Sequence, residues 1–304
     1  MSTELIELSD ALAQSTDRAA ASAVAVHTES RGSSSGVVWR PGVVITAEHA
    51  LRRDEEIHLT LPDRRVVSGT LAGRDPSTDI AVLRCAEAVT ATSEFGDVAS
   101  LKPGRLALVV GRTRASGPIA GLAVVSLVVA ERHTWAGASL APYVRLDIGL
   151  QPTAAGGVVI DAHCRAVGMA TPRFARFGAI AIPAPTINRV VDILLEKGRI
   201  PRGYLGVGLQ SVRLPDALRH SLKRDEKGAA IVLDVEPNGP AHKAGIVIGD
   251  ILVSLAGRAV TGLEDVYSQL HGEVIAKPLA LTFIRGGAIQ ESNIVVGERP
   301  YGGD

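Results

Sequence analysis

The sequence predicts a mainly β protein of two domains. Its 304 residues suit about two domains at the usual size of roughly 150 residues each. The chain is 46% apolar and contains 32 Gly and 16 Pro, a composition that suits short strands joined by many turns. From residue 21 to residue 184, about twelve short apolar or alternating runs end at Gly, Pro or Asp, which is typical of barrels or sandwiches.

The elements follow from these runs in order. Leu5, Leu8 and Leu12 recur at helical spacing, which predicts a short amphipathic helix in segment 1–20. The strands expected in domain 21–200 are 22–28, 36–39, 43–46, 57–61, 65–74, 80–84, 105–111, 122–130, 143–146, 157–161, 166–170 and 178–182. A helix over 185–198 is predicted because Pro185 lies near its start and Gly198 at its end.

Pro201 and Gly203 interrupt the pattern and predict a boundary, after which domain 201–304 mixes strands with short helices. The expected strands are 204–212, 229–235, 251–255, 279–285 and 290–296, and the expected helices are 240–244 and 262–271.

Charge and hydropathy exclude several function classes. Lys plus Arg equals Asp plus Glu at 32 each, so no net positive field attracts nucleic acid. No run approaches the roughly 20 apolar residues of a membrane span. The first residues are acidic where a signal peptide has a basic start and an apolar run, which predicts a cytoplasmic location. Metal-ligand spacings and phosphate-binding motifs are missing from the sequence, so no cofactor and no metal are predicted.

A histidine and an aspartate lie at the ends of two predicted strands. His49 follows the strand 43–46, and Asp79 precedes the strand 80–84. A catalytic triad needs an imidazole that accepts a proton and a buried carboxylate that orients it, brought together from different strands. Taken alone, His49 is more simply a structural histidine and Asp79 a turn residue.

Seven motifs in chain order sharpen this interpretation. They are Ser35-Gly36-Val37-Val38, Thr46-Ala47-Glu48-His49-Ala50-Leu51, Asp75-Pro76-Ser77-Thr78-Asp79-Ile80, Gly178-Ala179-Ile180-Ala181-Ile182-Pro183, Arg202-Gly203-Tyr204-Leu205-Gly206-Val207, Gly239-Pro240-Ala241-His242-Lys243-Ala244-Gly245 and Gly249-Asp250-Ile251-Leu252. Together they resemble the HtrA family of trypsin-like serine proteases over residues 21–296. The resemblance implies a trypsin-like double β-barrel followed by an α/β PDZ domain.

By this resemblance His49 is the general base and Asp79 its orienting partner, but the nucleophile position holds Ala155, which has no oxygen. The oxyanion position holds Thr153, a β-branched residue where the family has glycine. The chain as written is therefore expected to be inactive, and its status as an enzyme stays open. Either the protein is a natural pseudoprotease, or an active ATP-independent serine endopeptidase had its serine at 155 replaced. The further changes at Thr153, Ala154 and Val158 favour the natural pseudoprotease.

The resemblance also implies a peptide-binding site at Tyr204, Leu205, Gly206 and Val207, where backbone N–H groups would hold a terminal carboxylate while the peptide adds as a strand. The simpler alternative is a tight turn entering a strand. The predicted function is a scaffold or regulator in protein quality control. The expected partners are unfolded polypeptides, protein C-termini and an active HtrA relative. Family members are commonly trimers, but residues 1–28 contain no Phe, Tyr or Trp, so a homo-oligomer stays an open expectation.

Overall fold

Strands dominate the structure, a computed structural model that describes residues 3–28, 32–51, 56–85, 93–134, 137–221 and 224–299. The chain divides into two units. The first consists of residues 1–134 and 139–200, and the second of residues 201–304 with the short segment 135–138. Each unit is described by itself below.

Six strands close the first barrel in the order β1-β2-β3-β6-β5-β4. Their bounds are β1 Ala23–His27, β2 Ser34–Arg40, β3 Val43–Ala47, β4 Ile57–Thr60, β5 Val66–Asp75 and β6 Ile80–Cys85. Successive side chains of a strand point to opposite faces. Val38 and Val44 therefore fill the barrel interior, whereas Val37 and Ile45 join a core shared with the second barrel.

The second barrel closes in the order β11-β14-β13-β12-β7-β8, and β9 and β10 form a separate two-stranded ribbon. The bounds are β7 Leu106–Thr113, β8 Gly117–Val129, β9 Arg132–His133, β10 Ser139–Leu140, β11 Tyr143–Asp147, β12 Val158–Ile160, β13 Ala166–Thr171 and β14 Ala179–Pro183. Strand β8 begins five residues before its predicted start, because Gly117 pairs directly with Thr113 in a tight hairpin. The two six-stranded barrels confirm the predicted double-barrel fold.

Two helices pack on the barrels. Helix α1 spans Thr3–Ala20, where its last residues are buried, whereas Leu5 and Leu8 stay exposed on its first turns. The predicted N-terminal helix is thus longer than its leucine pattern indicates. Helix α2 spans Ala184–Lys197 and buries one apolar face on the barrels before Gly198 ends it at φ +70°. A glycine in this left-handed conformation is a common helix terminator.

The second unit is a six-stranded sheet with short helices and a two-stranded ribbon, which β15 and β22 form. The bounds are β15 Gly203–Tyr204, β16 Val207–Arg213, α3 Asp216–Ser221, β17 Gly228–Val235, α4 Pro240–Lys243, β18 Ile251–Leu255, β19 Arg258–Ala259, α5 Leu263–Gln269, β20 Pro278–Arg285, β21 Ala288–Val295 and β22 Gly297–Glu298. Helix α3 was not predicted, because its six residues are too few for a helical period. None of the helices in the described ranges has the length and apolar character to cross a membrane.

Candidate functional site

The structure brings His49 and Asp79 together at one end of the first barrel. Strands β3 and β6 pair with Ala47 opposite Ile80, so the residues that follow β3 and precede β6 are neighbours. His49 lies on the short 3-10 helix Glu48–Ala50. Its Nδ1 is 2.8 Å from Oδ2 and 2.9 Å from Oδ1 of Asp79, and its backbone N–H donates to Oδ1 at 3.0 Å. This pairing places the proton on Nδ1 and leaves Nε2 as the basic nitrogen.

Asp79 is fully buried, and a threonine hydroxyl also binds its carboxylate. The Thr171 side chain, also fully buried at the end of β13, donates to Oδ2 of Asp79. Asp79 itself has φ +59°, a left-handed conformation that aspartate tolerates better than most residues. The carboxylate is therefore fixed by contacts from both barrels. Sequence reasoning missed Thr171, which is separated from Asp79 by 92 positions.

A buried acid lies directly beside the histidine. The Glu48 carboxylate is 3.4 Å from Arg74 and 3.5 Å from Arg173, and Arg173 is also 3.9 Å from Oδ1 of Asp79. Burial raises the pKa of Glu48, and the charge of Arg74 partly opposes this effect. Sequence reasoning assigned no role to this group either.

The turn at Ala155 packs against the strand that leads to His49. The backbone carbonyl of Ala155 accepts a hydrogen bond from the Ser35 N–H at 3.0 Å. Gly156 has φ +84°, and a Cβ at this position would lie 2.2 Å from the Ser35 carbonyl oxygen and 2.9 Å from the Ala47 nitrogen. The turn therefore lies against β2 at Ser35 and against β3 at Ala47, two residues before His49. The Ala155 side chain is a methyl group, 1% exposed.

Backbone N–H groups of the same turn donate hydrogen bonds to carbonyls within the turn. Residues Pro152–Ala154 form a 3-10 helix, and the Ala155 N–H donates to the Pro152 carbonyl at 3.3 Å. In serine proteases the amides of the nucleophile and of the residue two positions earlier stabilise the oxyanion. Here the Ala155 amide, at the position that the resemblance assigns to the nucleophile, is directed to a carbonyl of its own turn.

Thr153 occupies the middle of this 3-10 turn with a negative φ, so its β-branched side chain causes no backbone strain in this conformation. Its carbonyl accepts a hydrogen bond from the Ser35 hydroxyl at 2.6 Å. The Ser35 hydroxyl also accepts from the Arg112 backbone N–H at 3.0 Å. Ser35 thus links strand β2 of the first barrel to the turn of the second, a role that its motif did not indicate.

The predicted peptide loop lies in the second unit, between β15 and β16. Gly206 has φ +72°, and its carbonyl accepts from the Glu236 N–H at 2.9 Å. The Leu205 carbonyl accepts from the Ala241 N–H at 2.8 Å, and the Leu205 side chain is buried. These bonds fix the loop Tyr204 to Val207 through its carbonyls, while the Tyr204 hydroxyl donates to the Glu236 carboxylate.

A groove runs between β16 and α5. Strand β16 is at the edge of its sheet, so one side of its backbone can pair with an added strand. A cavity of about 410 Å³ lies here, lined by Ser211, Thr261, Gly262, Leu263, Glu264, Asp265 and Tyr267. The Leu263 N–H donates to the Ser211 hydroxyl at 3.3 Å. This contact joins the start of the helix to the strand at Ser211.

Comparisons with known proteins agree with this architecture. A model of the trypsin-like peptidase domain matches residues 34–169, and a PDZ domain model matches residues 203–296. A probable periplasmic serine endoprotease, DegP-like, of Pseudomonas putida is 30% identical over 269 residues, covering 87% of this chain and 55% of that protein. The relative of the same description in Brucella suis is 30% identical over 274 residues, covering 87% and 52%. The chain thus spans about half the length of these relatives.

Two solved structures share the fold. The HtrA-type protease AlgW with decapeptide has a TM-score of 0.76 at 22% identity, covering 95% of this chain and 98% of that one. The serine endoprotease from Yersinia pestis has a TM-score of 0.73 at 23% identity, also covering 95% and 98%. At these identities the likeness concerns the fold alone.

The relatives' descriptions as periplasmic contradict the cytoplasmic location predicted for this chain. That prediction was wrong because it rested on acidic residues such as Glu4 and Glu7, which only mark the exposed surface of helix α1. The domain matches, the relatives and the double barrel agree on one family. The chain is a homologue of the HtrA-family serine proteases, with a trypsin-like peptidase domain and a PDZ domain.

Proposed function

We propose that this protein binds polypeptide segments without hydrolysing them and acts as a scaffold or regulator in protein quality control. The observation that carries the proposal is Ala155, which supplies no attacking oxygen. The hydrogen bond from its amide to Pro152 supports the loss of an oxyanion donor as well. Without a nucleophile, serine proteases retain an acceleration on the order of 10³ to 10⁴ over water, which is too little to observe for peptide bonds.

In this proposal His49 and Asp79 occupy the positions of base and orienting partner but have no nucleophile to activate. We assign the barrels to domain 21–200 and the peptide groove to domain 201–304. The edge strand β16 and the fixed loop Tyr204 to Val207 support binding of an unfolded segment or a protein C-terminus by strand addition. An active HtrA relative is a further proposed partner.

The activity test compares five proteins on unfolded casein: the chain as written, its His49→Ala variant, Ala155→Ser, Ala155→Ser with Thr153→Gly, and that double variant with His49→Ala. We expect no cleavage by the chain as written or by Ala155→Ser alone, because the Ala155 amide still donates to Pro152. Cleavage is expected when Thr153→Gly is added to Ala155→Ser, since glycine permits the turn to redirect its amides. His49→Ala in this double variant is the control and removes the activity. Casein cleavage by the chain as written, abolished by His49→Ala, contradicts the proposal.

The binding test uses fluorescent peptides with a free or an amidated C-terminus. Binding to the groove predicts that amidation weakens affinity, because the loop Tyr204 to Val207 would hold the carboxylate. A Leu263→Asp variant introduces a charge beside β16 and should weaken both peptides. Equal affinities for the two peptides contradict recognition of the C-terminus. Weaker binding of both peptides by Leu263→Asp would still support binding in the groove.

The second candidate function is an active ATP-independent serine endopeptidase whose serine at 155 was replaced. The intact contacts among His49, Asp79 and Thr171 favour it. The codon at position 155 in the natural gene discriminates between the two functions. A serine codon there, together with rapid casein cleavage by Ala155→Ser, selects the endopeptidase.

A further inference from the structure

Three arginines line a small cavity in the first unit. It measures about 190 Å³ and lies beside the turns that join β4 to β5 and β7 to β8. Its lining residues are Thr60, Leu61, Arg64, Val66, Arg112, Thr113, Arg114, Ala115 and Gly117. No acidic side chain lines it among the described residues.

Arg112 is the buried member of this group, with 6% of its surface exposed. Its Nε donates to the Ala23 carbonyl at 2.7 Å, and its Nη2 donates to the Ala20 carbonyl at 2.9 Å. Both partners are neutral, and no carboxylate within the described ranges pairs with this guanidinium. A buried charge without a counter-charge is costly, and burial accordingly lowers the pKa of Arg112.

The two exposed arginines of the cavity also lack acidic partners in the described part of the chain. The contrast is Arg65, next in sequence to Arg64, whose Nε lies 2.7 Å from the Asp63 carboxylate. The charge of Arg114 reaches as far as His27, whose pKa is lowered first by burial and then by Arg114. Arg64, Arg112 and Arg114 therefore line one cavity without an acidic partner among the described residues.

We propose that this cavity binds a small tetrahedral oxyanion of the phosphate class. Guanidinium groups bind such anions through paired, charge-assisted N–H···O bonds, and several of them around one cavity favour a doubly charged anion over a carboxylate. The anion supplies the counter-charge that the described residues do not provide. The site is separate from the peptide groove and does not depend on whether the protein hydrolyses peptides.

One lining residue of the cavity, Arg112, is connected to the turn at 153–155 through the Ser35 hydroxyl. The Arg112 backbone N–H donates to the Ser35 hydroxyl, which in turn donates to the Thr153 carbonyl. The bound anion thus stabilises strand β7 at Arg112, where these hydrogen bonds start. Ligand binding to the native state raises its stability by mass action.

The test is isothermal titration of the full chain with inorganic phosphate at constant ionic strength, with sodium chloride and sodium acetate as the other arms. We expect saturable binding of phosphate and none of chloride or acetate. Arg64→Gln and Arg114→Gln should each weaken phosphate binding about tenfold, the effect of losing one charge-assisted hydrogen bond. Arg65→Gln is the matched control, since it removes an equal charge from a neighbouring, paired position.

A parallel melting experiment checks the same binding in the folded protein, with the melting temperature rising with phosphate concentration in Arg65→Gln but not in the Arg64→Gln/Arg114→Gln double variant. Arg112 is left unchanged because it also holds the carbonyls of Ala20 and Ala23. Absence of saturable phosphate binding overturns the proposal, as does unchanged affinity in the double variant. Equal binding of acetate overturns the assignment to the phosphate class.

Discussion

Replacement of Gly156 by alanine should destabilise the first unit more than its backbone conformation alone predicts. The residue has φ +84°, and an alanine there costs about 1–2 kcal/mol for the left-handed conformation. Its Cβ would also lie 2.2 Å from the Ser35 carbonyl oxygen, so backbone atoms must move apart. Such overpacking typically adds about 1–3 kcal/mol, giving about 2–5 kcal/mol in total.

Gly104→Ala is the matched control for Gly156→Ala. Gly104 has φ +91°, and a Cβ there would have no atom within 4 Å, so only the conformational cost of about 1–2 kcal/mol remains. The free energy of unfolding of both variants is measured by urea denaturation, followed by tryptophan fluorescence in a Trp135→Phe background. The buried Trp39 of the first unit is then the one tryptophan of the chain. Equal losses in the two variants would refute the argument that the turn is packed too tightly for a side chain.

Three further predictions concern charged groups. Because burial raises the pKa of Glu48, its ionised form weakens the fold as pH rises from the unfolded value toward the raised one. Urea unfolding of Glu48→Gln should therefore show a smaller loss of stability as the pH rises above 4.5, the ordinary pKa of this carboxyl, than the unchanged protein. Thr171→Val removes the hydroxyl donor to Asp79 and should cost about 1.5–3 kcal/mol of unfolding free energy, whereas an unchanged urea midpoint would contradict this. Asp250→Asn weakens two bonds from Arg285 and should lower the thermal midpoint of the second unit in calorimetry of the full chain, and a midpoint that does not move would argue against a stabilising role for this pair.

The fold could be predicted because its elements leave local marks. Short alternating runs indicated the strands, and Pro185 with Gly198 indicated helix α2. The misses have local causes as well. Helix α3 is too short to show a period, and the start of β8 is hidden by Pro118 and Gly121, which normally interrupt strands but here lie within a paired hairpin.

The site was less predictable because its contacts are distant in sequence. The motifs identified His49 and Asp79, and the structure brings them within hydrogen-bonding distance. No spacing rule connects Asp79 to Thr171, or Ser35 to Thr153, which is 118 positions away. These pairs arise from the closure of two barrels against each other, so only the three-dimensional arrangement reveals them.

The Ser35 hydroxyl has a consequence for how such a protein can change over generations. A single codon change at 155 would return an oxygen to the turn, but the Ala155 amide would still face Pro152 and Ser35 would still hold Thr153. In the proposed scheme that first step brings no catalytic advantage on which selection could act. Loss of the enzymatic activity would then be hard to reverse, because its recovery needs two coordinated substitutions rather than one.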